Sequence, residues 1–137
     1  MPQQRYTEIG RNAGYAQQIY LILIGCARRN ELITYGRLAQ MIGFGGVPAT
    51  FRPLGHIMYW CAQNGLPPLT ALVVNRMSGE CGGSLRRFRG ETVDAGRMRV
   101  FRRRWYLYVV PTRREFRTAW LEGIAGAFDE ILEPAEG

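Results

Sequence analysis

The sequence predicts a mainly helical α+β domain with a small β-hairpin or sheet, and a further strand and helix towards its C-terminal end. Three observations lead there. Apolar residues recur at three- and four-residue spacings in four separate stretches. A β-branched apolar run at 69–75 is followed by a Gly-rich turn at 77–83. The chain has 137 residues, 47% hydrophobic and 21% charged, which suits one core and one domain over 1–137.

The first helix is expected over 14–29. Ala16, Ile19, Tyr20, Leu23 and Ala27 form one apolar face, which Ile22, Ile24 and Cys26 widen. Arg28, Arg29 and Asn30 stand where such a helix would end. Residues 31–34 read as a short extended entry. Thr34 can cap a helix over 35–42, with Arg37 in place of the Glu that would complete a capping box. That helix should bury Leu38, Ala39, Met41 and Ile42. Three glycines and Pro48 make 43–48 a turn.

A third helix is expected over 49–62, with Leu54, Ile57, Met58 and Cys61 inward and Pro53 in its first turn. Gly65 suits the left-handed position after its end. Residues 69–75 then read as a buried strand and 77–83 as a tight turn or hairpin. Residues 84–97 give no clear pattern. Val100, Phe101 and 105–110 look like a strand that Pro111 ends. A last helix is expected over 114–132, with Phe116, Trp120, Ile124, Phe128 and Ile131 in the core. Helix, short helix, turn, helix and hairpin is the order of a winged helix-turn-helix, with 16–83 as its core and 84–137 appended.

Charge is unevenly spread. There are 18 basic residues, all Arg, against 11 acids, for a net charge of +7. Residues 1–75 carry +4, residues 76–117 carry +8, and residues 118–137 carry −5. A basic middle of this kind suits a polyanion, with nucleic acid first and an acidic protein surface second. The acidic residues of the tail, Asp129 to Glu136, are expected to serve solubility. Cys26, Cys61 and Cys81 are odd in number and widely spaced, which argues against a disulfide framework and for reduced thiols in the cytoplasm. The start lacks a signal-peptide pattern, and the longest apolar run, 19–27, is too short to span a membrane.

Three motifs within residues 16–75 carry a resemblance. Gln18-Ile19-Tyr20-x-x-Leu23 precedes Ile33-Thr34-Tyr35-Gly36-x-Leu38-Ala39. Ala49-Thr50-Phe51-Arg52-Pro53-Leu54-Gly55 follows, and then Leu66-Pro67-Pro68-Leu69-Thr70-Ala71-Leu72-Val73-Val74-Asn75. In order and spacing this resembles the winged-helix DNA-binding domain of the alkylguanine-DNA alkyltransferases and their non-enzymatic alkyltransferase-like relatives. The resemblance implies binding of duplex DNA, including DNA with a distorted or flipped base. It puts Tyr35 on the tyrosine that presses a flanking phosphate, and Arg52 on the arginine finger that enters the base stack. Arg37 and Thr50 lie beside them on the same two segments. A core position for Tyr35 and a merely exposed Arg52 are the other readings of these residues.

The family's acceptor cysteine, histidine and arginine fall on Thr70, Ala71 and Leu72. A thiolate acceptor needs a depressed pKa and a polar network, and these three side chains offer neither. The expectation is therefore a non-enzymatic protein with no cofactor and no metal. Two catalytic alternatives are weaker: a Cys81–His56 pair, and a metal cluster of Glu80, Glu91 and Asp94 that lacks any ligand spacing.

Outside the resemblance, Arg86, Arg87 and Arg89, then Arg97, Arg99, Arg102, Arg103 and Arg104, interleave with aromatic residues. They are expected to contact phosphates from the wing and the segment after it, with Trp105 or Phe88 stacking on an exposed base. On a strand, Arg97, Arg99 and Arg103 would share one face, with Met98 and Val100 on the other. The rival to DNA binding is a protein-interaction module or inhibitor, phage- or mobile-element-like, docking on an acidic surface or a nucleic-acid-handling complex.

Overall fold

The computed structural model describes residues 2–77 and 92–126, with side chains from residue 8 onward. It is mainly helical, with a small sheet. Helix α1 (Pro2–Arg28) begins twelve residues before the sequence pattern suggests. Gly10 and Gly14 conceal its first half. Both face Arg113, whose Nη2 would lie 3.5 Å from a Cβ on Gly10 and whose Cδ would lie 3.8 Å from one on Gly14. The glycines leave room for that side chain, and tertiary packing overrides their poor helix propensity. Ala13, Ala16, Ile19, Tyr20, Leu23 and Ala27 are buried along the predicted face. Asn30 takes the left-handed conformation, φ 56°, as the helix ends.

Strand β1 (Ile33–Thr34) leads into α2 (Tyr35–Ile42). Thr34 caps α2 by accepting a hydrogen bond from the Arg37 N–H at 3.1 Å, and Gly43 ends it at φ 88°. Leu38 and Ala39 are buried as expected, whereas Met41 is half exposed. A 3-10 turn (Val47–Thr50) then feeds α3 (Phe51–Gln63), which buries Leu54, Ile57, Met58 and Cys61.

The expected strand at 69–75 is mostly a 3-10 turn, Leu69–Leu72, followed by the two-residue strand β2 (Val73–Val74). A continuous apolar run cannot tell these apart. Pro68 tips the balance, its carbonyl accepting from the Ala71 N–H at 2.9 Å. The sheet is β1 beside β2 in parallel, Ile33 opposite Val73 and Thr34 opposite Val74, and α2 and α3 form the crossover. The expected hairpin lies almost entirely outside the described residues.

Residues 93–107 correct the sequence reading most. The segment expected as polar chain and strand is helix α4 (Val93–Arg102), followed by a 3-10 turn at Trp105–Leu107. Thr92 caps α4 by accepting from the Ala95 N–H at 3.1 Å, and Gly96 and Val100 bury one narrow stripe. Arg97, Arg99 and Arg103 therefore do not share a strand face. The Arg97 Nε donates to the Ala71 carbonyl at 2.7 Å, tying α4 to the turn before β2.

Helix α5 (Arg113–Ile124) opens with a full capping box, Thr112 with Glu115. Phe116 is fully buried and Trp120 partly so, while Ile124 is more than half exposed, against expectation. Phe128 and Ile131 lie outside the described residues.

Helices α1, α3 and α5 pack on one another and enclose the core. Two glycines set how closely α3 and α5 approach. A Cβ on Gly55 would stand 2.7 Å from Trp120 Cζ3, and one on Gly123 would enter the Tyr59 ring. Gly123→Ala should therefore lower unfolding stability by about 1–3 kcal/mol in urea titration. An unchanged midpoint would mean that α5 does not sit this close.

Candidate functional site

The alkyltransferase-like reading rests on the first turn of α3. Phe51 and the Arg52 side chain are exposed there, the latter at 61%. The Arg52 guanidinium lies 3.5 Å from the carboxylate of Glu8 on α1, a solvent-screened contact. From Pro53 to Met58 every residue of α3 is buried, and Tyr59, Trp60 and Gln63 beyond them are only partly exposed, so its fully exposed side chains are confined to the first turn. A helix that reads a major groove needs an exposed face beyond that.

Other expected contacts turn inward. Tyr35 is buried, its ring edge-on to Phe51 at 5.7 Å. Thr50 is wholly buried, and its hydroxyl donates to the Val47 carbonyl at 2.7 Å, so it holds the turn before α3. Thr70, Ala71 and Leu72 are sealed in the core. Arg37 is exposed on α2. Arg86, Arg87, Arg89 and Phe88 lie outside the described residues, as do Cys81, Glu80, Glu91 and the acidic tail.

His56, Cys26 and Cys61 are also core residues. His56 stacks on Trp120, with ring centroids 4.7 Å apart and an interplanar angle of 7°. Its Nδ1 is 2.7 Å from the Arg52 carbonyl, so that nitrogen carries the proton and donates. Burial lowers its pKa from 6.5 to about 4, a shift that the Arg52 carbonyl opposes and the nearby Arg52 charge reinforces. Burial pushes the Cys61 thiol up to about 12 and also raises that of Cys26. Neither cysteine is poised as a nucleophile. Among the described residues, no group of three or more His, Cys, Asp or Glu side chains is placed to hold a metal ion.

The arginines that do assemble are at the other end of α1. Arg28, Arg102, Arg103 and Arg104 line a cavity of about 480 Å³ together with Trp105 and Tyr106. No carboxylate lines it, and among the described residues none pairs with these four arginines. Trp105 positions the cluster. It is 4% exposed, its Nε1 donates to the Val100 carbonyl at 2.8 Å, and its ring stands edge-on to Tyr20 at 6.1 Å. The expected base-stacking tryptophan is instead the plug that anchors the turn after α4.

Around that plug, Arg103 lies 4.1 Å from the Tyr108 ring centroid and 5.1 Å from that of Trp105. Its Nε is buried and has no hydrogen-bond partner among the described residues. Arg28 stands 5.9 Å from the Tyr106 centroid. Arg28 ends α1 and Arg102 ends α4, so two helix C-termini with their partial negative charge meet the cluster. That arrangement lets four guanidinium groups gather without a carboxylate.

The cavity and Arg52 are well separated. Glu8, beside Arg52, and Arg28 are both on α1. Twenty residues of helix set them about 30 Å apart and roughly 200° around the axis. Arg102, Arg103 and Arg104 of the expected 86–104 arginines thus come together with Arg28, which the sequence marks only as the end of a helix. Arg52 lies apart from them.

Comparison with protein-family models, with curated proteins and with solved structures finds no match.

Proposed function

We propose that this protein binds DNA without catalysis, through the arginine-lined cavity where α1 and α4 end. The observation that carries this reading is the gathering of Arg28, Arg102, Arg103 and Arg104 around one cavity with no carboxylate in its lining. Guanidinium groups are planar and fork onto phosphate oxygens. The α1–α2–α3 order is compatible with a winged-helix scaffold.

Binding of this kind releases counterions, so affinity falls steeply with salt. Replacing both Arg102 and Arg104 by alanine should flatten the log affinity against log salt slope by about 1.8 on a duplex, or about 1.4 on a single strand. Fluorescence anisotropy across a salt series measures this. Both side chains are exposed, so the fold should be retained. An unchanged slope and affinity would refute the reading. Tight capture of an acidic protein, with no DNA bound at low salt, would replace it by the interaction-module reading.

A further inference from the structure

Next to the arginines the chain does something unusual for a protein surface. Residues 106–109 are Tyr, Leu, Tyr and Val, and all four are exposed, from 54% for Tyr108 to 93% for Val109. Single exposed apolar side chains need no explanation, but four in succession beside an interaction site mark a contact surface. The two tyrosines are not loosely held. Each has a guanidinium against its ring, Arg28 at Tyr106 and Arg103 at Tyr108, yet each remains more than half exposed. Cation and ring are thus arranged before any partner arrives, which limits the ordering lost on binding.

We propose that this surface holds an unpaired stretch of a nucleic acid strand, with its phosphates on Arg102 and Arg104 and a base stacked on Tyr106. The inference rests on the DNA-binding reading and sharpens its ligand. A duplex keeps the faces of its bases covered by their neighbours, and offers the arginines phosphates but gives the tyrosines nothing to stack on. A single strand supplies both the charge and the open π-face. The cavity, about 480 Å³, is in the range that encloses one small-molecule-sized group such as a nucleotide. Charge complementarity selects an anion, and the paired tyrosines select one that carries flat rings.

The test compares a short fluorescent single strand, the duplex of the same sequence, and a polyglutamate of matched charge, all on the full chain. The strand should bind at least tenfold more tightly than the duplex. Tyr106→Ala should weaken strand binding roughly tenfold while leaving duplex binding unchanged, and Tyr106→Phe should retain strand binding. Tyr106 is exposed, so neither change should threaten the fold; a matching urea midpoint checks this. Duplex binding equal to or tighter than strand binding, with Tyr106→Ala silent on both, overturns the inference and leaves the DNA-binding reading standing. Polyglutamate bound as tightly as the strand overturns both, as does failure of every DNA to bind.

Discussion

Phe116→Ala should lower unfolding stability by about 3–5 kcal/mol, because the lost ring leaves a cavity that three helices cannot readily close. Phe116 is fully buried on α5. Its ring meets Tyr20 of α1 at 5.7 Å and Trp60 of α3 at 6.0 Å, so it joins all three core helices at one point. Urea denaturation followed by tryptophan fluorescence measures the loss. A change below about 1 kcal/mol would mean that the site tolerates a void, contrary to what a core ring predicts.

Stability should also fall on mild acidification, and His56 should be the main cause. Unfolded, the imidazole takes a proton near its ordinary pKa of 6.5; folded, burial holds it neutral until about pH 4. The unfolded state therefore binds more protons between these values, and stability drops as pH falls through that window. From neutral pH to about pH 5 the expected loss is about 2 kcal/mol, before most carboxylates titrate. His56→Phe keeps a flat ring against Trp120 and removes the proton site, so its stability should change far less over that interval. Equal pH dependence in the two proteins would contradict the burial of a neutral His56.

The Thr34 cap, the break in the helix at Gly43, the left-handed Gly65, and the inward face of α3 were legible because local chemistry alone decides them. Two failures have different origins, one long-range and one local. The apolar pattern begins only near Gly14, but Gly10 and Gly14 receive the side chain of Arg113, about a hundred positions away in the chain. Residues 69–72 looked like strand, but the Pro68 carbonyl closes a turn. Helix α4 did leave a signal. Thr92 and Asp94 at its start, with Gly96 and Val100 four apart, outline a capped helix beneath the arginines. Thr112 and Glu115 likewise announce α5.

At the site, sequence found Arg102, Arg103 and Arg104 but could not find Arg28, which reaches the cavity only because α1 packs against α4 and the turn after it. It also gave Trp105 the role that the exposed Tyr106 is better placed to fill. A tryptophan amid arginines reads as a stacking platform until its indole N–H is seen bonded to the Val100 carbonyl. Arg52 was the reverse case. The motif around it drew attention to an exposed side chain whose helix is otherwise buried.

The most direct measurement is a backbone and side-chain NMR titration with a short single-stranded oligonucleotide. The account predicts that the largest shifts fall on Arg28, Arg102, Arg104 and Tyr106, while Phe51 and Arg52 move little. Shifts concentrated on Phe51, Arg52 and the glycine turn before them, with the α1–α4 cavity silent, would contradict it.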